Sequence, residues 1–255
     1  MSFTTFRSRM LSGEKLAGTF MKTPSHDVLE VLAISGLDFV CLDAEHAAFD
    51  RAALDACMAV ARALDFPVLV RVASGTPEAI LQALDMGAVG VVVPHVDSVE
   101  KAEAVARSAR FGLGGRGFAG STRWAGYATR GMPELLERSR AETVVIAQIE
   151  EPAGVDAADA IAALEGVDGL FLGPADLSVA YGHHGQDNPD LAQALETCGA
   201  ATKAHGKAYV SWVASVEQAK ERASYGLNVF FIASEHAWML AGAKAAAKGI
   251  REMGE

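Results

Sequence analysis

The sequence predicts a single α/β domain of the TIM (β/α)8 barrel type, spanning 1–255. Short β-branched, apolar runs alternate with alanine-rich helical stretches along the chain, the pattern of a parallel sheet covered by helices. Eight such runs are present, and eight parallel strands with alternating helices close most economically into a barrel. At 255 residues, 51% of them hydrophobic, the chain is long and apolar enough to bury one core of that size.

Taken in order, the strands are expected at 16–21, 38–42, 67–71, 89–93, 143–149, 168–172, 207–211 and 227–232. The helices fall near 25–35, 50–64, 77–86, 98–109, 153–163, 189–204 and 215–224, with a terminal helix from about 235 to 252. Local chemistry supports these bounds. Asp50 precedes Arg51-Ala52-Ala53-Leu54 as a helix cap, Thr76-Pro77 opens another helix with proline in its first turn, and Gly36 and Gly87 stand where helices must stop. The segment 111–132 is too long for an ordinary connection and has five glycines before Ser121; it is expected over or beside the pocket, with Arg123 and Trp124 contributing to its wall. The terminal helix carries Trp238, Met239, Leu240, Ala243, Ala246, Ala247 and Ile250 on an apolar face that can close the barrel bottom or pack against another subunit.

Composition excludes several classes. The net charge is −10 and the basic residues are scattered, which disfavours nucleic acid as a partner. Met1–Glu14 lacks the apolar stretch of a secretory signal, and no run approaches the roughly 20 apolar residues needed to cross a bilayer, so a cytoplasmic enzyme with no membrane partner is expected. Cys41, Cys57 and Cys198 are odd in number and embedded in apolar segments, and are expected to be reduced core residues.

The chemistry-bearing residues sit at strand carboxyl ends, where barrel active sites lie. Asp38-Phe39-Val40-Cys41-Leu42 runs into Asp43-Ala44-Glu45-His46, Val68-Leu69-Val70 into Arg71, Val144 to Ile149 into Glu150, and Leu170-Phe171-Leu172 into Gly173-Pro174-Ala175-Asp176. Glu150 and Asp176 follow strands five and six, and neighbouring strands lie about 4.8 Å apart, so the two carboxylates can converge on a hard divalent ion, magnesium or manganese. Ordinary solvated or helix-capping acids would look the same. Asp43 and His46, three residues apart, suit a carboxylate that fixes an imidazole tautomer and leaves the other nitrogen as a general base; a satisfied loop histidine is the plain alternative. Arg71 can bind a substrate oxygen or pair with Asp43 or Glu45. Gly173-Pro174-Ala175 lets the backbone approach a ligand, with amides suited to a carboxylate.

Other features carry less. The glycine-rich run Phe111–Gly117 lacks the lysine and hydroxyl of a P-loop, and no serine-hydrolase elbow occurs. His183-His184 are adjacent on a Gly-rich loop, His95 faces the rim as a supporting residue, and His26, His205 and His236 have no partners in sequence. A Schiff-base mechanism requires a lysine at a strand end, and none of the expected strands ends in one.

Taken together, Asp43-Ala44-Glu45-His46, Pro67-Val68-Leu69-Val70-Arg71, Gln148-Ile149-Glu150 and Gly173-Pro174-Ala175-Asp176-Leu177-Ser178 resemble the metal-dependent class II pyruvate aldolases of the HpcH/HpaI type, over nearly the whole chain. The resemblance implies a barrel subunit assembled as a homo-hexamer, a trimer of dimers, by exchange of the terminal helix. It implies that Glu150 and Asp176 hold Mg2+, Mn2+ or Co2+ with Gln148 nearby, that His46 oriented by Asp43 is the acid–base residue, that Arg71 stabilises the enolate oxygen, and that the Gly173 and Ala175 amides take the pyruvate carboxylate. The implied reaction is reversible retro-aldol cleavage of a 4-hydroxy-2-oxoacid to pyruvate, or an analogue such as hydroxypyruvate, plus an aldehyde, so the partners are a small 2-oxoacid and an aldehyde. Relatives often carry glycine where Ala44 stands and tryptophan near Phe20, which bears on the aldehyde-side pocket. A CoA-thioester lyase of the malyl- or citramalyl-CoA type, or a barrel that binds an oxoacid without catalysis, are the competing readings.

Overall fold

The computed structural model describes residues 2–253, so Met1, Gly254 and Glu255 of the expected 1–255 domain lie outside the described residues. Eight strands pair in parallel and in chain order into a closed barrel: β1 (Leu16–Met21), β2 (Phe39–Asp43), β3 (Val68–Arg71), β4 (Gly90–Val93), β5 (Val144–Ile149), β6 (Gly169–Leu172), β7 (Ala208–Val213) and β8 (Val229–Ser234). The helices are α1 (Phe6–Leu11), α2 (His26–Ile34), α3 (Arg51–Ala63), α4 (Pro77–Met86), α5 (Val99–Ser108), α6 (Met132–Glu142), α7 (Pro152–Asp156), α8 (Ala158–Ala163), α9 (Pro174–Ala180), α10 (Pro189–Ala204), α11 (Val216–Arg222) and α12 (Glu235–Glu252). The predicted caps form: the Asp50 side chain accepts from the Ala53 amide at 2.8 Å, the Thr76 hydroxyl accepts from the Ala79 amide, and Gly87 ends α4 with φ 114°.

Two-residue alternation divides each strand between two cores. Phe20, Phe39, Cys41, Leu69, Ile146, Phe171 and Phe231 fill the barrel, whereas Val40, Leu42, Val68, Val70, Val145, Ala147 and Ile149 pack outward against helices. The Phe231 ring centre lies 4.8, 5.0 and 4.9 Å from those of Phe20, Phe39 and Phe171. Gly18 makes room for this cluster, because a Cβ there would stand 2.4 Å from the Phe39 ring. The same parity places Lys22, Asp43, Arg71, Gln148, Glu150 and Gly173 on the inward side at the strand carboxyl ends, above a floor of aromatic rings.

Four differences from the expected layout change what surrounds the site. Helices α1, α6 and α9 were not foreseen; fully buried Phe6 and Met10 of α1 plug the barrel at its amino-terminal end. Strands β7 and β8 end two residues later than expected, which brings Ala233 and Ser234 to the rim. The segment between α5 and α6 lies away from the pocket, at the amino-terminal end of the barrel: the Trp124 amide donates to Asp85 of α4 at 3.2 Å, and buried Arg116 pairs with Asp85 between the rings of Phe111 and Trp124, 4.7 and 4.8 Å from its guanidinium. The segment leaves the carboxyl end of a helix, and helices run opposite to the strands, so it emerges at the end remote from the strand carboxyl termini. Finally, α12 starts at the rim and does not close the barrel bottom; of its residues only Glu235 is buried, and Trp238, Met239, Leu240 and Ile250 are exposed.

Cys41, Cys57 and Cys198 are free and buried as expected, and burial pushes the Cys57 thiol up to about 11. Among the described residues, no helix is long and apolar enough to cross a membrane.

Candidate active site

Asp43 ends β2 fully buried and is held by Arg71 at the end of β3, in register with it across the ladder. Its Oδ1 accepts from Arg71 Nε at 3.0 Å and its Oδ2 from Nη2 at 2.7 Å, a bidentate pair. Burial alone would raise the Asp43 carboxyl, but the hydrogen bonds and charge of Arg71, with the His46 amide and Lys22, hold it below the usual carboxylate range. Asp43 was expected to orient the His46 ring. Instead its Oδ1 accepts from the His46 backbone amide at 3.1 Å, because both oxygens already face Arg71; the exposed imidazole lies beside Glu45, Nε2 to Oε2 3.7 Å. Arg71 realises both of its sequence readings, pairing with Asp43 and with Glu45 Oε2 at 3.2 Å while lining the cleft and covering the Phe20 ring at 4.3 Å.

Glu150 follows β5 and is buried. Its two oxygens face different neighbours. Oε1 accepts from the His95 amide at 2.8 Å and lies 3.0 Å from His95 Nδ1, while Oε2 accepts from the Gln148 side-chain amide. A Cβ placed on Gly173 would stand 3.4 Å from Glu150 Oε2 and 3.7 Å from Asp176 Oδ2, so the Glu150 and Asp176 carboxylates border the same small space across the bare glycine. Asp176 sits exposed in the first turn of α9, behind Pro174. Burial, together with the negative charges of Asp176 and Glu45, raises the Glu150 carboxyl above its ordinary value despite the His95 contacts.

His95 reaches the rim, as expected, but not by strand alternation. Val92 faces the barrel interior and Val93 the helices, so strict alternation would send His95 outward; its φ of 56° breaks the alternation and turns the ring to the rim. There Nδ1 lies 2.8 Å from Glu151 Oε1 and Nε2 lies 3.7 Å from Glu45 Oε1. Burial pulls the imidazole down, but the hydrogen bond to Glu151 and the charges of Glu150, Glu151 and Glu45 outweigh it and raise it above the usual value. Glu45, His95 and Glu150 each offer a donor atom within 4.8 Å of the others, a group that could hold a metal ion. The chemistry of the set fits a divalent cation: carboxylates crowd together, and Gln148 Oε1 is buried beside them without a hydrogen-bond partner.

A cleft of about 440 Å³ adjoins these residues, lined by Arg71, Gln148, Gly173, Ala175 and Asp176 together with Phe20, Lys22, Trp212 and Ser234. One expectation fails here. The Gly173 amide donates to the Ile149 carbonyl at 2.9 Å, continuing the β5–β6 ladder, so it is not free to take a substrate carboxylate; Ala175 in the exposed first turn of α9 has no such bond to a strand. Gly173 serves by its missing side chain instead. Lys22 was overlooked in the sequence, although it is the first residue beyond β1 and has the inward parity of Phe20.

The sequence profile of the HpcH/HpaI aldolase/citrate lyase family matches residues 16–234, which spans all eight strands. This chain belongs to that family. It is similar to the hydroxypyruvate/pyruvate aldolase of Roseovarius nubinhibens, 35% identical over 208 residues covering 80% of each chain. It is also similar to the 5-keto-4-deoxy-D-glucarate aldolase of Salmonella paratyphi A, 37% identical over 205 residues covering 79% of each. Among solved structures, an HpcH/HpaI aldolase/citrate lyase family protein from Burkholderia cenocepacia superposes with a TM-score of 0.91 at 30% identity, covering 97% of this chain and 99% of that one. The family barrel and its acidic rim are thus present together in one chain.

Proposed function

We propose that this HpcH/HpaI family member is a divalent-metal-dependent aldolase that cleaves 4-hydroxy-2-oxoacids reversibly to pyruvate, or a close analogue such as hydroxypyruvate, and an aldehyde. The observation that carries the reading is the pair of carboxylates, Glu150 and Asp176, both bordering the bare Gly173 beside a cleft that Asp176 and Arg71 line. The aldolases named among its relatives support it.

Glu150 Oε2 and Asp176 would hold Mg2+ or Mn2+, with Gln148 steadying Glu150 and the Glu45–His95 group flanking it on the Oε1 side. When bound, the ion supplies electrophilic pull on the carboxylate and ketone of the 2-oxoacid. Arg71, charged and fixed by Asp43, offers its remaining N–H donors to the enolate oxygen, where charge develops only as the C3–C4 bond breaks. The exposed first-turn amide of Ala175 receives the pyruvate carboxylate. His46 takes the proton of the C4 hydroxyl in cleavage and returns it in condensation, with Glu45 beside its ring and Asp43 holding the turn that carries it.

The exposed apolar side chains of α12 favour packing against a second copy by helix exchange, within a homo-hexamer, and the free buried cysteines suit a cytoplasmic enzyme. The role of His46 is tested by aldol cleavage in His46→Ala with saturating Mn2+. A loss of about 100-fold or more is expected; a rate near the parent's would exclude it.

A further inference from the structure

Away from the rim, a pocket of about 200 Å³ lies at the amino-terminal end of the barrel, between the carboxyl ends of α3, α4 and α6 and the segment that joins α5 to α6. Arg62, Arg130 and Arg138 line it, together with Phe3, Gly87 and Trp124. A Cβ on Gly87 would stand 3.1 Å from Arg62 Cδ and 3.5 Å from Arg123 Cδ, so the bare glycine lets two arginine stems converge on the end of α4. Three of these four guanidiniums have a carboxylate of their own. Arg138 holds Glu142 through Nε and Nη2 at 3.1 and 2.8 Å, Arg123 reaches Asp55 at 2.6 Å, and Arg130 reaches Glu134 at 3.2 Å.

Arg62 has none. Among the described residues it forms no ion pair, and none of its N–H donors meets an acceptor. Asp65, on the same wall, is taken up by the Ser2 hydroxyl and the Phe3 amide, at 3.3 and 3.1 Å. A cation in the last turn of α3 suits the helix dipole, but that does not account for four arginines together. Burial, and after it the charges of Arg138, Arg130 and Arg123, pull the Arg62 guanidinium below its ordinary value, and Arg123 Nε is buried without a hydrogen-bond partner. The cluster is one acid short.

We propose that this pocket is an anion site that takes a phosphoryl group, free as inorganic phosphate or carried by a small phosphomonoester, with Arg62 as its principal donor. A planar carboxylate is satisfied by one guanidinium, as Glu142 is by Arg138. A tetrahedral oxyanion presents oxygens in several directions and suits guanidiniums that arrive from α3, from α6 and from the segment before it. The Phe3 ring, 5.9 Å from the Arg62 guanidinium, and the Trp124 ring, 5.2 Å from that of Arg138, add apolar wall that keeps water from screening the charges. Bound there, the anion ties α3 to α6 and to the stretch from Trp124 to Arg130, which gives the long glycine-rich connection a ligand of its own. The site is remote from the rim and stands independently of the aldolase reading.

The test uses full-length, Mg2+-loaded protein with pyruvate in excess to occupy the rim. Inorganic phosphate and glycerol 3-phosphate are titrated by calorimetry at constant ionic strength into the parent, Arg62→Gln and Arg62→Lys, and melting temperature is followed against the concentration of each. The parent is expected to bind, and its melting temperature to rise with ligand concentration. Arg62→Gln should weaken affinity about tenfold or more and abolish the rise, and Arg62→Lys, which keeps the charge but loses the fork, should fall between the two. Tighter binding of glycerol 3-phosphate assigns the site to a phosphomonoester, and tighter binding of phosphate assigns it to the free ion. Binding of neither, an affinity in Arg62→Gln equal to the parent's, or an equal rise in melting temperature with chloride overturns the proposal. Should Arg62→Gln fail to fold, Arg130→Gln, on the more exposed side of the pocket, replaces it: weakened binding supports the site, and a parent-like affinity overturns it.

Discussion

Two buried carboxylates on neighbouring strands meet opposite fates. At the amino-terminal end of β6, Asp168 is filled from every side: Oδ1 accepts from Arg7 Nε and Nη2 at 2.9 and 2.7 Å, and Oδ2 from Arg110 Nη2 at 3.2 Å and the Val145 amide at 2.8 Å. At the carboxyl end of β5, Glu150 is equally buried, and that burial, with the charges of Asp176 and Glu45, pushes its carboxyl upward. One end of the barrel matches its buried acid with two guanidiniums; the other leaves like charges together beside a histidine in a left-handed conformation. A barrel tolerates such an arrangement because the aromatic interior and the Arg7–Asp168–Arg110 cluster stabilise it independently of the rim.

The comparison is broken most directly by exchanging the consequences. Glu150→Gln removes an ion-holding oxygen and should lower aldol cleavage on the order of 1000-fold, about 4 kcal/mol of barrier, while the melting temperature stays level or rises because like charges are relieved. A fall in melting temperature would show that the rim is built for stability after all. Asp168→Ala should do the reverse. It leaves two guanidiniums without their counter-ion and is expected to cost about 3 kcal/mol by denaturant titration, discounted for the partial exposure of Arg7 and Arg110, with kcat per folded molecule within about twofold of the parent.

A sharper cut divides the rim itself. Calorimetric Mn2+ titration should show Asp176→Asn weakening affinity by about 100-fold and His95→Ala by about 10-fold, the order expected for a ligand against a flanking residue. The reverse order would move the ion to the Glu45–His95–Glu150 side. The smallest effect concerns acid. Asp43 is held below its ordinary value, so its contribution to stability is present above an unfolded-state pKa of about 4 and is lost as pH falls through the folded value. Unfolding measured between about pH 5 and pH 2 should show this as a progressive loss of stability toward acid, and the limb should flatten in Asp43→Asn.

Much of the site was legible in the sequence because a barrel turns chain position into geometry. A strand has period two and its carboxyl end is the rim, so the inward placement of Asp43, Arg71, Gln148 and Glu150 follows from the apolar runs before them. Lys22 obeyed the same rule and was legible one residue past β1. His95 was expected at the rim from its place after β4, but its contacts with Glu150 and Glu151 depend on a left-handed φ that spacing does not reveal. Nor was the pairing of Asp43 with Arg71 in preference to the His46 ring legible, for local spacing offered both partners and only register across the β2–β3 ladder selected one.

The sequence by itself determined the barrel, its parity and the strand ends that bear charge, because these depend on short-range periodicity and on the burial of apolar side chains. Tertiary structure alone decided which oxygens share a space, where the glycine-rich segment after α5 lies, and that α12 leaves its apolar side chains exposed. Those outcomes arise from contacts between residues far apart in the chain, where closure of the ring and competition for each donor, neither encoded in any one stretch, set the result.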